Sequence, residues 1–247
     1  MRNYLAAFII LLASFQQTIP AHTGATAASG GGSSQTVVQH PHNFTCGGTA
    51  ASNTVTCTVT ATATTPGNLV IMAGAMFTGT GPSVTGDSAS GDTFTSCGTG
   101  VSGGGANAAA CQYTLSAAGG ATSLGISFTA TGLSGNTYAI DAELVEVHKP
   151  SGPWTLDGYG TQFSTCSTCT DSAPTGMTGS NDFILRFGAF NDSTLTGPGS
   201  PYTNPSDIET TNVNGGFIGA LDQTTGGTIN WTQGGSSAAS MITVAFK

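Results

Sequence analysis

Three carboxylates stand close together in a chain that carries very little charge. Asp141, Glu143 and Glu146 form this group, whereas only 6% of the 247 residues are charged, against roughly a quarter in ordinary globular proteins. Clustered carboxylates supply the acid, base and nucleophile that cleave glycosidic bonds. The segment Thr137–Val147 is predicted to be a strand, whose alternation would turn Asp141 and Glu143 to solvent and Glu146 inward. We expect this non-catalytic arrangement and keep catalysis by the three acids as the alternative.

Aromatic side chains are the second group that could meet a ligand. Exposed aromatic rings stack on the apolar faces of sugars and line ligand sites. Four residues are expected to act in this way: Trp154, Tyr159, Tyr202 and Trp231. Because Trp154 and Tyr159 follow the acidic strand closely, we expect them to border a shared groove.

A single arginine lies in an apolar strand. Apart from Arg2, Arg186 is the one arginine of the chain, and it stands inside the run Phe183–Phe187. Leaving such a charge buried without a partner would cost several kcal/mol. Glu146 is the predicted partner, in an ion pair that supports the structure.

Six cysteines fall into three local pairs. Proximity in the sequence favours Cys46 with Cys57, Cys97 with Cys111 and Cys166 with Cys169. An even number of cysteines is typical of proteins that fold in an oxidising compartment. The last pair has the spacing of redox and zinc motifs, but it lies in a Ser/Thr-rich segment with no second pair to complete a zinc site. A structural disulfide is the predicted role.

The hydrophobic pattern predicts an all-β protein. Thr54–Thr64 alternates between apolar residues and threonine, which is typical of a half-buried strand. Asn68–Phe77 is continuously apolar, which predicts a central strand covered on both faces. No apolar period of a helix persists anywhere in the chain. About ten short strands with Gly-rich turns favour a two-sheet antiparallel β-sandwich of the jelly-roll type.

The start of the chain reads as an export signal. A positive residue, a short apolar segment and a small residue at Ala21 predict a signal peptide over residues 1–21. Residues 22–35 are rich in Gly, Ser and Ala and are predicted to be a linker. The β-sandwich domain is then expected over residues 36–247, in a secreted protein.

The charge balance limits the partners. The formal net charge is −8, so phosphate backbones and anionic membranes would be repelled. We therefore expect no nucleic acid and no insertion into a membrane. A neutral polysaccharide or a cell-surface protein is the expected partner, and no cofactor or metal is predicted. Asp87 and Asp92 flank one Gly-rich turn, for which turn formation is favoured over calcium binding.

Five segments resemble, in their order, a bacterial secreted β-sandwich module. The shared features are a Gly-Asn strand, an Asp-containing hairpin, a Glu-containing strand before a Ser-Gly turn, and a final Ala-Phe-Lys. The segments are Asn68–Ile71, Gly86–Phe94, Ala142–Val147, Asn181–Leu185 and Ala239–Lys247. The resemblance covers residues 68–247 and implies an extracellular jelly roll, often found beside glycan-active or adhesive domains.

The acidic strand is also similar to that of laminarinase-like glycosidases. In that family a bulge brings the third carboxylate onto the face of the first two, at the short separation that retaining chemistry needs. The similarity implies that Asp141 would be the nucleophile, Glu143 its orienting residue and Glu146 the proton donor. The chain has Asp where the family has Glu at the first position.

These observations predict a secreted or cell-surface β-sandwich that binds extracellular polysaccharide or a surface partner without catalysis. A retaining glycoside hydrolase based on Asp141, Glu143 and Glu146 is the first alternative. A structural surface or matrix subunit, assembled through edge strands, is the second.

Overall fold

The computed structural model describes most of the chain after residue 34. The described residues are 35–77, 83–85, 92–97, 101–103, 107–179, 181–191, 195–197, 208–211, 215–223 and 226–247. The predicted signal peptide and all but Gln35 of the predicted linker lie outside them. Within the described ranges the chain forms strands and no helix, which confirms the all-β prediction.

Sixteen strands are present in the described residues, and every strand pairing is antiparallel. They are β1 (Thr36–Gln39), β2 (His42–Thr49), β3 (Thr54–Thr60), β4 (Leu69–Phe77), β5 (Ser83–Thr85), β6 (Thr95–Ser96), β7 (Val101–Gly103), β8 (Asn107–Thr114), β9 (Ser123–Thr129), β10 (Thr137–His148), β11 (Leu156–Thr170), β12 (Asp182–Phe190), β13 (Leu195–Thr196), β14 (Ile208–Thr211), β15 (Gly215–Gln223) and β16 (Asn230–Phe246).

A seven-stranded sheet, called the central sheet below, contains the most apolar strands. Its strand order is β1-β10-β4-β8-β6, with β2 also on β10 and β7 also on β8. Every residue of β4 from Leu69 to Met76 is buried. The prediction that this segment is a strand covered on both faces is therefore confirmed.

Two further sheets accompany the central sheet. The threonine sheet has three strands in the order β3-β9-β5, and the large sheet has six, in the order β11-β16-β12-β15-β14 with β13 on β16. In β3 the apolar residues Val55, Cys57 and Val59 are buried while the threonines between them are exposed. This alternation confirms the predicted half-buried strand.

The central sheet has a hydrophobic core on each face. Ile71 and Val145 pack with Phe187 and Val244 of the large sheet. On the other face, side chains such as Met72 and Leu144 pack with residues of the threonine sheet. The prediction of two sheets is not confirmed, because three are present. A strand that is apolar on both faces needs a cover on each side, and one facing sheet supplies only one cover.

Three disulfides pair the cysteines as the sequence predicted. Cys46–Cys57 connects β2 of the central sheet to β3 of the threonine sheet. Cys97–Cys111 connects the residue after β6 to β8. Cys166–Cys169 lies within β11, across a register irregularity between Cys166 and Thr168. The first bridge therefore links two sheets, and the other two stabilise the edges of their own sheets.

Arg186 forms a buried ion pair, but its partner is Asp171 and the prediction of Glu146 was wrong. The Nη1 of Arg186 donates to Asp171 Oδ2 at 2.7 Å, and Thr243 Oγ1 donates to the same oxygen at 3.1 Å. The other oxygen of Asp171 accepts the Ile229 backbone N–H. Because neighbours on either side of Arg186 in β12 pack into the core against the central sheet, the arginine points away from β10 and from Glu146.

Removing one member of this pair should strongly destabilise the protein. In Asp171→Ala the guanidinium of Arg186 would remain buried without its carboxylate, so the free energy of unfolding should fall by about 3–5 kcal/mol. Urea denaturation followed by tryptophan fluorescence measures this loss. The double variant Asp171→Leu/Arg186→Met should recover most of it, and equal losses in the two variants would contradict the pairing.

Candidate functional site

The acidic strand β10 lies inside the central sheet between β4 on one side and β1 and β2 on the other. Its register with β4 is unbroken from Ala139–Phe77 to Val147–Leu69. Successive side chains therefore alternate regularly between the two faces. No bulge in this pairing moves Glu146 onto the face that holds Asp141 and Glu143.

The three carboxylates consequently divide between the two faces of β10. Asp141 and Glu143 share a face with Val145, which packs toward the large sheet. Glu146 shares the opposite face with Leu144, which packs toward the threonine sheet. All three are buried, so the predicted solvent exposure of Asp141 and Glu143 was wrong. The cause is that β10 is an internal strand with a hydrophobic core on each side.

Glu146 holds neighbouring segments together through hydrogen bonds. Its Oε1 accepts the side-chain amide of Asn68 at 2.7 Å and the backbone N–H of Thr65 at 2.8 Å. Its Oε2 accepts the side-chain amide of Gln39 at 2.6 Å. The carboxylate thus joins β1 and the turn before β4 to β10, and the predicted inward orientation is confirmed.

Glu143 has no such partners. Its side chain is 0% exposed, and neither oxygen accepts a hydrogen bond from the described residues. The nearest basic atom is Nδ1 of His40, 3.8 Å from Oε1. Burial raises the pKa of Glu143 to about 8, while burial, followed by the charge of His42, lowers the pKa of His40. At neutral pH the pair is therefore an uncharged carboxylic acid beside an uncharged imidazole.

Asp141 lies against the backbone of β15. A Cβ at Gly215 would be 2.8 Å from Asp141 Oδ2, so a larger residue there would displace the carboxyl. Asp141 is thus buried against the backbone of β15, with little contact with solvent.

The described residues contain no group of three or more His, Cys, Asp or Glu side chains that could hold a metal ion. The imidazole of His42 stacks on Phe44, with ring centroids 4.3 Å apart. Asp87 lies outside the described residues, and Asp92 accepts the backbone N–H of Ala118 at 2.6 Å. In the part of the chain that the structure describes, no helix is long and apolar enough to span a bilayer.

The two tryptophans are buried, so the prediction that they are exposed was wrong. Trp154 is buried in the core between the central and large sheets, with the amino group of Lys149 5.4 Å from its ring centroid. Trp231 is completely buried beside Phe190, at a centroid distance of 5.3 Å. Both rings fill space against the large sheet. Tyr202 lies outside the described residues.

Tyr159 is exposed, and a second aromatic residue accompanies it. Tyr159 is 41% exposed and Phe163 is 38% exposed. Both lie on β11, which is an edge strand of the large sheet. The register of β11 with β16 is unbroken from Tyr159–Val244 to Phe163–Ser240, so the two rings project from one face at a separation of about 14 Å along the strand. We call Tyr159, Thr161 and Phe163 the β11 platform.

Phe163 was not among the residues predicted to bind a ligand. The signal was present in the sequence, because Phe163 is a large apolar residue four positions after Tyr159 in a segment of Gly, Ser, Thr and Gln. The even spacing places the two residues on one face of a strand. The exposure of Phe163 could not be predicted from the sequence, because it depends on how far the central sheet extends beneath the edge strand.

The chain was compared with known proteins at three levels. No family model, no curated protein and no solved structure was found to match it.

The protonated state of Glu143 should make stability depend on pH. Below about pH 4.5 the carboxyl is protonated in both the folded and the unfolded chain. Between about pH 4.5 and about pH 8 the folded chain keeps a proton that the unfolded chain releases, so stability should fall by up to about 1.4 kcal/mol per pH unit.

The variant Glu143→Gln keeps the size of the side chain and cannot ionise. Its unfolding free energy, measured by urea titration at a series of pH values, should fall less steeply across this window than that of the parent protein. A smaller fall in the same direction should remain, because burial and Asp157 raise the pKa of Asp182 to about 7. Parallel curves for the two proteins would show that Glu143 is ionised in the folded state.

Proposed function

We propose that this chain is an exported, non-catalytic β-sandwich that binds a neutral extracellular polysaccharide through the β11 platform. The observation that carries the proposal is the pair of exposed aromatic rings on one face of an edge strand. Among the large apolar side chains of the described residues, the exposed ones are Val38, Tyr159 and Phe163. Two of these three therefore lie together on β11.

Two aromatic rings on one face of a strand suit a long chain of sugars. The face of a pyranose ring is apolar, and aromatic rings bind it with little loss of conformational entropy. The separation of about 14 Å between Tyr159 and Phe163 would allow contacts with two sugar units of one chain that are not adjacent. Thr161 lies between the rings on the same face and offers a hydroxyl to the sugar between them.

The low charge of the molecule supports a neutral ligand. Four basic and twelve acidic residues are present in the whole chain, and β11 itself contains one charged residue, Asp157. Uncharged sugars would bind such a strand through hydrogen bonds and stacking, whereas the overall negative charge would repel a polyanion.

The arrangement of the acids supports binding over catalysis. Glycosidases need two carboxyl groups on either side of one scissile bond. Here Glu146 is on the opposite face of β10 from Asp141 and Glu143, and the three side chains are buried. The positions of the three acids therefore do not support the glycosidase alternative.

Export is part of the proposal. The predicted signal peptide over residues 1–21 and the three disulfides support passage into an oxidising compartment. The resemblance to bacterial secreted β-sandwich modules, with their jelly-roll connections, supports an extracellular location.

Binding to insoluble glycans tests the proposal. The purified domain should be retained on at least one of cellulose, chitin, xylan or insoluble β-glucan in a sedimentation assay. Replacing both rings, in Tyr159→Ala/Phe163→Ala, should weaken that retention about tenfold or more, since each lost stacking contact contributes about 1 kcal/mol.

Val38→Ala is the matched control, because Val38 is 47% exposed on β1 of the central sheet, away from β11. It should leave retention unchanged. Thermal melting of the three proteins should show that each is folded. The proposal is wrong if the folded parent protein is retained on none of these glycans, or if the double variant is retained as well as the parent.

A further inference from the structure

Lys247 and Asp157 are held side by side by the backbone and by their side chains. The backbone N–H of Lys247 donates to the carbonyl of Thr155, and the N–H of Thr155 donates to the carbonyl of Lys247. The Nζ of Lys247 lies 2.5 Å from Oδ1 of Asp157. The Asp157 side chain is almost completely shielded from solvent, whereas that of Lys247 is partly exposed.

The carboxyl of Asp157 is polarised by a set of donors. The backbone N–H groups of Thr178 and Gly179 both donate to Oδ2, at 2.6 and 2.8 Å. Two backbone N–H groups aimed at one oxygen are the arrangement that stabilises the oxyanion formed when a nucleophile adds to a carbonyl carbon. The two N–H groups thus stabilise a negative charge on Oδ2, while Oδ1 faces the amine of Lys247.

A hydroxyl connects the amine to Oδ1. The hydroxyl of Thr178 donates to Asp157 Oδ1 at 2.9 Å, and Lys247 Nζ donates to that hydroxyl at 2.5 Å. A proton leaving the amine therefore has a path to Oδ1 through Thr178.

A second carboxyl lies next to the first. Asp182 is 0% exposed, and neither of its oxygens accepts a hydrogen bond from the described residues. Burial and the neighbouring Asp157 raise the pKa of Asp182 to about 7, against the opposing charges of Lys247 and Lys149. For Asp157, burial is outweighed by hydrogen bonds from Lys247, Gly179 and Thr178, which hold its pKa below the usual range.

An ordinary ion pair does not need this second acid. Asp157 and Lys247 already satisfy each other's charge. A second buried carboxyl that accepts no hydrogen bond, such as Asp182, costs free energy and adds nothing to that pair. Two neighbouring acids whose environments push their pKa values apart are the arrangement by which proteins assign a proton donor and an acceptor. The cluster therefore contains an amine and a carboxyl in contact, with a second buried acid beside that carboxyl.

We propose that Lys247 and Asp157 become joined by an intramolecular amide bond that the folded protein forms by itself. In this reaction a proton first passes from the Lys247 ammonium through the Thr178 hydroxyl to Oδ1 of Asp157, which gives a neutral amine and a carboxylic acid. Nζ then adds to Cγ, and the negative charge develops on Oδ2 between the two backbone N–H groups. The Nζ–Cγ bond forms, the Cγ–Oδ1 bond breaks, and Oδ1 leaves as water with two protons from the ammonium group. Thr178 and Asp182 carry these protons, and both end the reaction in their starting states.

The condensation is driven by position. The reacting groups are held in contact by the fold, and such placement raises the effective concentration of one group at the other by many orders of magnitude. The product would join the residue after β16 to the edge strand β11 by a bond that neither heat nor reductant breaks. The inference is independent of the proposed binding function.

The distribution of basic residues permits a simple test. The chain has four lysines and arginines, which are Arg2, Lys149, Arg186 and Lys247, and Lys149 precedes Pro150, where trypsin does not cut. Trypsin therefore divides the body of the denatured chain once, after Arg186. Because every disulfide lies before Arg186, no disulfide connects the two fragments.

The folded protein should be purified, denatured, reduced and digested with trypsin. Fragments that stay joined in a denaturing gel, together with an intact mass lower by one water molecule than the reduced sequence requires, are the expected result. Two separate fragments with unmodified masses, obtained from folded protein, would overturn the proposal and leave a salt bridge.

Three variants separate the roles. Lys247→Arg keeps the positive charge but should give separate fragments. Asp182→Asn should also give separate fragments, or form the bond far more slowly, because an asparagine side chain cannot transfer the proton. Lys149→Arg is the matched control, since it keeps the charge near Asp182 and adds no cleavage site; its fragments should stay joined. If Asp182→Asn joins as completely and as fast as the parent, Asp182 is not the proton-transfer group and that part of the proposal is wrong.

Discussion

The arrangement of this protein depends on the need to bury both faces of β4 and β10. Both strands are continuously buried through their middle portions, and each face of the sheet they form must be kept from water. The large sheet covers one face and the threonine sheet covers the other. Burial of this apolar surface, at about 25 cal/mol per Å², explains why so small a chain contains three sheets.

The same constraint decides what happens to the few charged side chains. Residues on internal strands lose contact with water whatever their chemistry, so each acid needs a local solution. Glu146 accepts three hydrogen bonds, Asp171 pairs with Arg186, and Glu143 is protonated beside His40. A sheet with two buried faces thus requires a sequence of low charge, because few hydrogen-bond or ion-pair partners are available to stabilise buried charged groups.

The predictions from sequence succeeded where the deciding contacts are local. The alternation in Thr54–Thr60, the apolar run of β4 and the three cysteine pairs are all set by residues close along the chain. They failed for Asp141 and the two tryptophans, whose exposure depends on sheets formed by distant segments. The partner of Arg186 was also mispredicted, because its identity as Asp171 depends on which face of β12 points toward the central sheet.

The sequence by itself determined that the protein is built from β-strands and that its chemistry would involve few charged groups. It favoured local pairs among the cysteines, and the tertiary structure has these pairs. Period and composition carry this information because a strand exposes alternate residues to different surroundings. Only the tertiary structure decided which face of β10 each acid occupies, that Tyr159 and Phe163 share an exposed edge, and that Asp157, Asp182 and Lys247 meet. These outcomes follow from sheet order and register, which join residues far apart in the chain and leave no local mark in the sequence.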